Sequence, residues 1–343
     1  QKTSLSLMTF KLLIKKVFLI FLFIITINAN AMEPNIKVLM YHKIGDNKHP
    51  STNISKELFE EHIKYLVEEN IKVLPVTELS KYLKNEVNLP KKTVFITFDD
   101  AYKSFFQNGF PILKKYKLPF SVFVSSHYIS ESKESDFMSW SMLKELSESN
   151  GLILNHSKSH ESLLGVDTQT LKTEIEQNQT EIEKKIGKQP KIFSYPYGES
   201  SEYIEEIIKL LDYEIAFSQH SAPIHFNQNI YRLPRYALND EFGGLKRFRM
   251  ILKTKPLKVL QSSFNDSIIN TDEFHFSFLS KFPSKFINCF VNNSASIIKK
   301  DEGKKVILYL SKLKNGERYR INCTFIDQKG EVFWYGKMIK RIN

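Results

Sequence analysis

Three short stretches of this chain combine residue types that can act together chemically. The first is Thr97-Phe98-Asp99-Asp100, two adjacent carboxylates at the end of a β-type run. Side by side they repel unless a cation or a proton relieves them, although an aspartate there would also suit a helix N-cap. The second is Asn155-His156-Ser157-Lys158-Ser159-His160. Histidines four residues apart fall on the same side of one helical turn, a common way to present two imidazoles to a metal, but the spacing also arises easily by chance. Joined by an aspartate from the first stretch, they make a set of two histidines and one carboxylate. Such a set leaves positions open for water and substrate on zinc or another divalent metal. The third is Phe193-Ser194-Tyr195-Pro196-Tyr197-Gly198, an aromatic loop stiffened by proline, suited to walling a sugar pocket or to ordinary packing and turning.

All three stretches follow expected strands. Short β-rich runs at 37–41, 71–76, 93–98, 120–125, 152–155, 192–195, 215–218 and 231–236 alternate with amphipathic stretches at 55–70, 77–84, 102–116, 141–149, 170–187 and 201–212. Ser55 and Thr77 stand where N-caps belong, and Gly187 where a helix should stop. This rhythm predicts an α/β fold with a parallel sheet covered by helices, closed as a barrel or open and doubly wound. Chemistry in such sheets collects beyond the C-terminal ends of the strands. After about residue 250 the pattern changes to short aromatic strands at 274–279, 286–291, 305–310, 319–326 and 332–339, with turns at Lys314-Asn315-Gly316 and Gln328-Lys329-Gly330. A small all-β sandwich is expected there, joined by a linker at 253–256.

The chain has 343 residues, 42% hydrophobic and 25% charged, which excludes wholesale disorder and gives room for a domain of about 200 residues with a smaller companion. Twelve glycines and twelve prolines exclude a collagen-like chain, and two cysteines are too few for a disulfide scaffold or a four-cysteine zinc site. From Met8, a basic segment, the apolar run 17–27 and Ala29-Asn30-Ala31 read as a secretory signal peptide cleaved after Ala31, with residues 1–7 upstream of it. The apolar run is short for a membrane anchor. The mature protein is therefore expected outside the cytoplasm, periplasmic or secreted.

The net charge of +11 is unevenly spread. Residues 32–244 hold 25 basic and 30 acidic residues, whereas 245–343 hold 20 against 8, a balance of +12. The basic C-terminal part suggests an anionic glycan or an envelope membrane surface, or simply a solvated basic face; nucleic acid does not fit an exported protein. Cys289 and Cys323 lie in similar contexts on expected strands, and a disulfide between them would close a loop worth about 3–4 kcal/mol.

In order and spacing the three stretches resemble the NodB-type polysaccharide deacetylases, over roughly residues 36–240. The opening Val38-Leu39-Met40-Tyr41-His42 and the loop 193–198 are most similar to the branch containing poly-N-acetylglucosamine de-N-acetylases of biofilm systems. The resemblance implies an irregular (β/α) barrel as the catalytic domain, at 32–252, and the change of pattern and charge after it marks a basic, β-rich accessory domain at 257–343. It implies Asp100, His156 and His160 as ligands of a divalent metal, zinc or else cobalt or nickel, and Asp99 as the general base. Tyr197 then matches the loop residue whose backbone N–H helps hold the oxyanion, beside Pro196. Asp136 and Trp140 resemble the family's acidic and tryptophan motif, with Trp140 lining the sugar pocket or packed in the core. Arg235 would orient the base or contact substrate, unless it forms a surface ion pair.

Two departures stand out. Ser194 occupies a position where many members carry arginine, and no clean Leu-x-His motif supplies the acid near residues 220–240. In the biofilm-type branch the acid comes from an early Tyr-His, which here is His42; His220 and His225 are the other candidates, and His42 could also be a core histidine. The implied function is removal of N-acetyl groups from an N-acetylated polymer or envelope glycan. O-deacetylation of a polysaccharide and a catalytically silent carbohydrate-binding barrel are the alternatives.

Overall fold

A parallel sheet positions the site, and its strands are apolar almost throughout because both faces are covered. In the computed structural model, which describes residues 34–46, 48–130, 132, 135–293 and 295–343, these strands are β1 (Asn35–Tyr41), β2 (Lys72–Val73), β3 (Lys92–Asp99), β4 (Phe120–Val124), β5 (Gly151–Asn155), β6 (Ile192–Ser194), β7 (Ile215–Phe217) and β8 (Tyr236–Ala237). Their order is β8-β1-β3-β4-β5-β6-β7, with β2 also paired to β3, and every pairing is parallel. Bridges from Phe217 to Leu233 and from Ile36 to Ile224 draw the two edges together, giving the irregular barrel expected from the sequence. Alternate residues face opposite cores. Val38, Phe95, Phe123, Leu154 and Phe217 pack on one side. Leu39, Tyr41, Ile96 and Phe98 pack on the other, with Phe59 and Ile63 of helix α1 (Lys56–Glu68).

Helix boundaries follow local chemistry. Ser55 caps α1, its hydroxyl accepting from the Leu58 N–H at 3.4 Å. The next helix starts at Val76 behind Pro75, so Thr77 is its second residue rather than its cap; proline already holds the φ of −67° that suits a helix entry. Thr168–Ile186 is capped by Asp167 and stopped by Gly187 at φ 101°. The expected strand at 231–236 is mostly loop, pairing at Leu233 and then forming β8 only at Tyr236, because Pro234 has no N–H to donate.

The later residues form two sheets around Phe276, Phe278, Leu308, Leu310, Tyr319, Ile321 and Ile339. One contains Asn288–Val291, Arg318–Ile326 and Val332–Arg341; the other contains Val259–Ser262, Phe274–Ser280, Ser296–Glu302 and Lys305–Ser311. The segment expected as a linker is ordered: Leu245–Lys253 is a helix, and Lys255–Pro256 pairs with Phe333 and Trp334. Cys289 and Cys323 face each other across a strand pair and are joined as a disulfide.

Asn35–Asn343 form one body, and the sandwich sits close against the barrel loops. A β-carbon at Gly336 would collide with the Ser221 carbonyl, Trp334 packs edge-on to Tyr236 at 5.5 Å, and Lys340 reaches the buried Glu199 at 2.7 Å. The expected signal segment, residues 1–31, lies outside the described residues. Among those described, no helix is long and apolar enough to cross a membrane.

Candidate active site

The residues singled out for chemistry gather at one edge of the sheet because each follows a strand's C-terminal end. Asp99 closes β3 and Asp100 leaves it; His156 follows β5, Ser194 ends β6, and His42 follows β1. Several of these turns are strained. Asp100, Ser157, His160 and Tyr197 all have positive φ, between 58° and 71°, a region non-glycine residues enter at a cost and mostly where function fixes the geometry. The two histidines are presented by an irregular loop rather than a helical turn, and their rings meet edge-on at 4.9 Å.

Asp99 is fully buried, and Arg235, equally buried, grips it with both arms: Nη1 donates to Oδ1 at 2.6 Å and Nη2 to Oδ2 at 2.7 Å. The guanidinium is fixed in turn by the Ser218 carbonyl at 3.1 Å, the Thr97 hydroxyl at 3.4 Å and the Ser194 hydroxyl at 2.8 Å. Burial would raise the Asp99 pKa, but Arg235 and, to a smaller degree, the neighbouring histidines outweigh it, so the carboxylate stays ionised.

Asp100, His156 and His160 each point one donor atom at a common space, all within 4.8 Å of one another. The Asp100 oxygen lies 3.4 Å from His156 Nε2 and 3.1 Å from His160 Nε2. His156 Nδ1 is 2.7 Å from the Ser194 carbonyl; donating there leaves Nε2 as a bare acceptor. Both that Nε2 and Asp100 Oδ1 are buried without a hydrogen-bond partner. Two nitrogens and one oxygen that converge, two of the three orphaned, suit a divalent cation with positions left for water and substrate. The group opens into a cleft of about 730 Å³ lined by His42, Asp100, His160 and Tyr197.

A family model for polysaccharide deacetylase matches residues 86–216. The matched residues form a polysaccharide deacetylase domain of the NodB type. It is 29% identical over 201 residues to the poly-beta-1,6-N-acetyl-D-glucosamine N-deacetylase of Staphylococcus aureus, covering 55% of this chain and 69% of that one. Its fold is that of the Streptococcus pyogenes deacetylase PplD, solved with acetate (TM-score 0.60, 20% identity, 64% of this chain and 99% of that one). IcaB from Ammonifex degensii is also similar (TM-score 0.56, 22% identity, 64% and 98%).

Within this deacetylase, the remaining expected residues separate by position. His42 lines the cleft; burial lowers its pKa, against the pull of the Asp100 and Asp99 charges. His220 and His225 lie elsewhere, in a smaller cavity of about 410 Å³ against the sandwich, and burial pushes His220 down to about 3. Arg235 is sealed behind Asp99 rather than lying on the cleft wall, which corrects the expectation of a sugar contact. Pro196 is buried within its loop, and Trp140 packs partly against the core outside the cleft lining. Asp136 is half exposed and lies 3.9 Å from Lys48.

The aromatic wall comes instead from Tyr102, Phe137 and Tyr128, stacked in series with ring centroids 5.0 Å apart at each step. These three come from separate segments, so no local pattern marked them. Tyr197 also lines the cleft, its ring 4.7 Å from that of His160.

Proposed function

We propose that this deacetylase hydrolyses N-acetyl groups from an N-acetylated polysaccharide, with a divalent metal, best zinc, held by Asp100, His156 and His160. The observation that carries the reading is the convergence of three donors, two of them buried without a partner, beside an ionised carboxylate that its own arginine clamps. A divalent metal bound there would supply a Lewis acid, acidifying a water and polarising the acetyl carbonyl. Asp99 Oδ2 faces that space, 4.0 Å from His156 Nε2, and accepts the proton of the attacking water. Arg235 keeps Asp99 ionised and aimed. His42, which lines the cleft, gives a proton to the departing amine, and the Tyr197 backbone N–H steadies the oxyanion. The stacked aromatic rings offer an apolar face to the pyranose.

The export reading fits the disulfide, which needs an oxidising compartment, and the signal pattern of residues 8–31. In this reading residues 32–252 form the catalytic domain and 257–343 an accessory one. The test is acetate release with added Zn2+ from N-acetylglucosamine oligomers and from an O-acetylated glycan, beside metal content by mass spectrometry. Wild type should hold one metal and release acetate from the amide. Asp99→Asn should hold the metal and release none, and His156→Ala should hold none. Metal retained by His156→Ala, or release from the ester alone, would refute the reading.

A further inference from the structure

The cleft is one-sided in charge. The sandwich contributes Arg318 and Arg320 to its wall and the helix Leu245–Lys253 contributes Arg247, while Asp100 is the single carboxylate among the described lining residues. Among the described residues, Arg320 donates only to neutral groups, the Gln219 carbonyl at 3.2 Å and side-chain oxygen at 3.4 Å, and Arg247 to the Phe242 carbonyl at 2.6 Å. Burial lowers the pKa of both, and the Arg318 charge lowers Arg320 further. Arg318 and Lys340 share one acid, Glu199, leaving a positive excess. The Arg318 guanidinium lies 4.8 Å from the centre of the Tyr197 ring, which itself touches His160.

Half-buried cations crowded together are costly unless an anion joins them. A neutral N-acetylated polymer brings none, and the ammonium left by deacetylation would be repelled. The guanidinium fork matches carboxylate and phosphate oxygens. We propose that Arg318 and Arg320, with Arg247 lining the same cleft, form an anion subsite beside the Asp100, His156 and His160 cluster. The preferred substrate is then an N-acetylated glycan bearing a carboxylate or phosphate on the neighbouring sugar. Its use as a substrate rests on the deacetylase reading above; the subsite itself is testable by binding alone.

Three probes separate the cases: a neutral N-acetylglucosamine hexamer, a hexamer alternating N-acetylglucosamine with glucuronic acid, and N-acetylglucosamine units joined through phosphodiesters. Calorimetric titration of the full chain in chelator reads affinity without turnover, and acetate release with Zn2+ reads activity. At least one acidic probe should bind about tenfold or more tightly than the neutral one. That advantage should shrink as salt rises and collapse in Arg318→Gln/Arg320→Gln, whose folding is checked by its thermal melt. Which acidic probe gains identifies carboxylate or phosphate. Equal affinity for all three in wild type, or an undiminished preference in the folded double variant, overturns the subsite. Acetate release from the neutral hexamer without any preference leaves the deacetylase standing and the subsite refuted. Salt-sensitive binding of an acidic probe with no release from any probe does the reverse.

Discussion

Breaking the Asp99–Arg235 pair from either side tests whether the base is held as described. Arg235→Met removes both bonds to Asp99 and the contacts to Ser218, Thr97 and Ser194, and leaves a carboxylate with no exposure and no cation. Losing one partner of a buried pair costs about 3–5 kcal/mol. Asp99→Asn, which strands the guanidinium against a neutral amide, should cost a similar amount. Much of each cost is the lone charge, so the double variant should fall short of the sum by about 2 kcal/mol or more. Urea unfolding of all four proteins in chelator, followed by the fluorescence of Trp140 and Trp334, measures the cycle without metal. Additivity within about 0.5 kcal/mol would refute the pairing. Arg235→Lys should recover little, because one ammonium cannot replace a two-armed grip. In the metal-loaded enzyme Arg235→Met should lower kcat and leave KM nearly unchanged, since the side chain does not reach the cleft. A raised KM at constant kcat would make Arg235 a substrate contact instead.

His62 predicts an acid-sensitive core. Fully buried, it lies 3.0 Å from the Tyr41 hydroxyl and 2.6 Å from the Gly243 carbonyl, and burial lowers its pKa from 6.5 to about 4. The unfolded chain binds that proton first, so stability present above pH 6.5 should drain away towards pH 4, by about 3 kcal/mol. Urea midpoints across that range should show the slope in wild type and a shallower one in His62→Gln. Cys323→Ser should lower stability by about 3–4 kcal/mol, matched by reducing the wild type, and thermal melts with and without reductant would show it. Tyr102→Ala and Phe137→Ala should each raise KM for oligosaccharides about tenfold with little change in metal content, as loss of a ring face would. An unchanged KM would move the sugar off that wall.

The parts legible in the sequence were those whose chemistry is written in consecutive residues. Asp99-Asp100, His156 with His160, and the loop 193–198 carry their spacing with them, and parallel strands show as apolar runs buried on both faces. What depends on distant residues was hidden. Arg235 meets Asp99 across 136 positions, because Leu39 of β1 pairs with both Ile96 of β3 and Tyr236 of β8. Residue type leaves Trp140 open to the sugar pocket or the core; it packs against the core, and the stacked wall is assembled from Tyr102, Tyr128 and Phe137. The edge strand Ser296–Glu302 was missed because Lys299-Lys300-Asp301-Glu302 reads as a solvent-facing turn rather than as a strand with one open edge.

Ser194 shows why a departure from a family pattern need not mean a dead site. Its hydroxyl accepts from Arg235 and its carbonyl meets His156, so one residue of β6 fastens both the arginine behind the base and the ring of a metal ligand. An arginine rooted at position 194 would have to fit where the Arg235 guanidinium now lies, with no exposure and five acceptor atoms already filled by it. A small hydroxyl residue on β6 and an arginine entering β8 are therefore one solution to one requirement: a cation must sit behind Asp99. The positive charge missing from the third motif has been supplied from the neighbouring wall of the barrel.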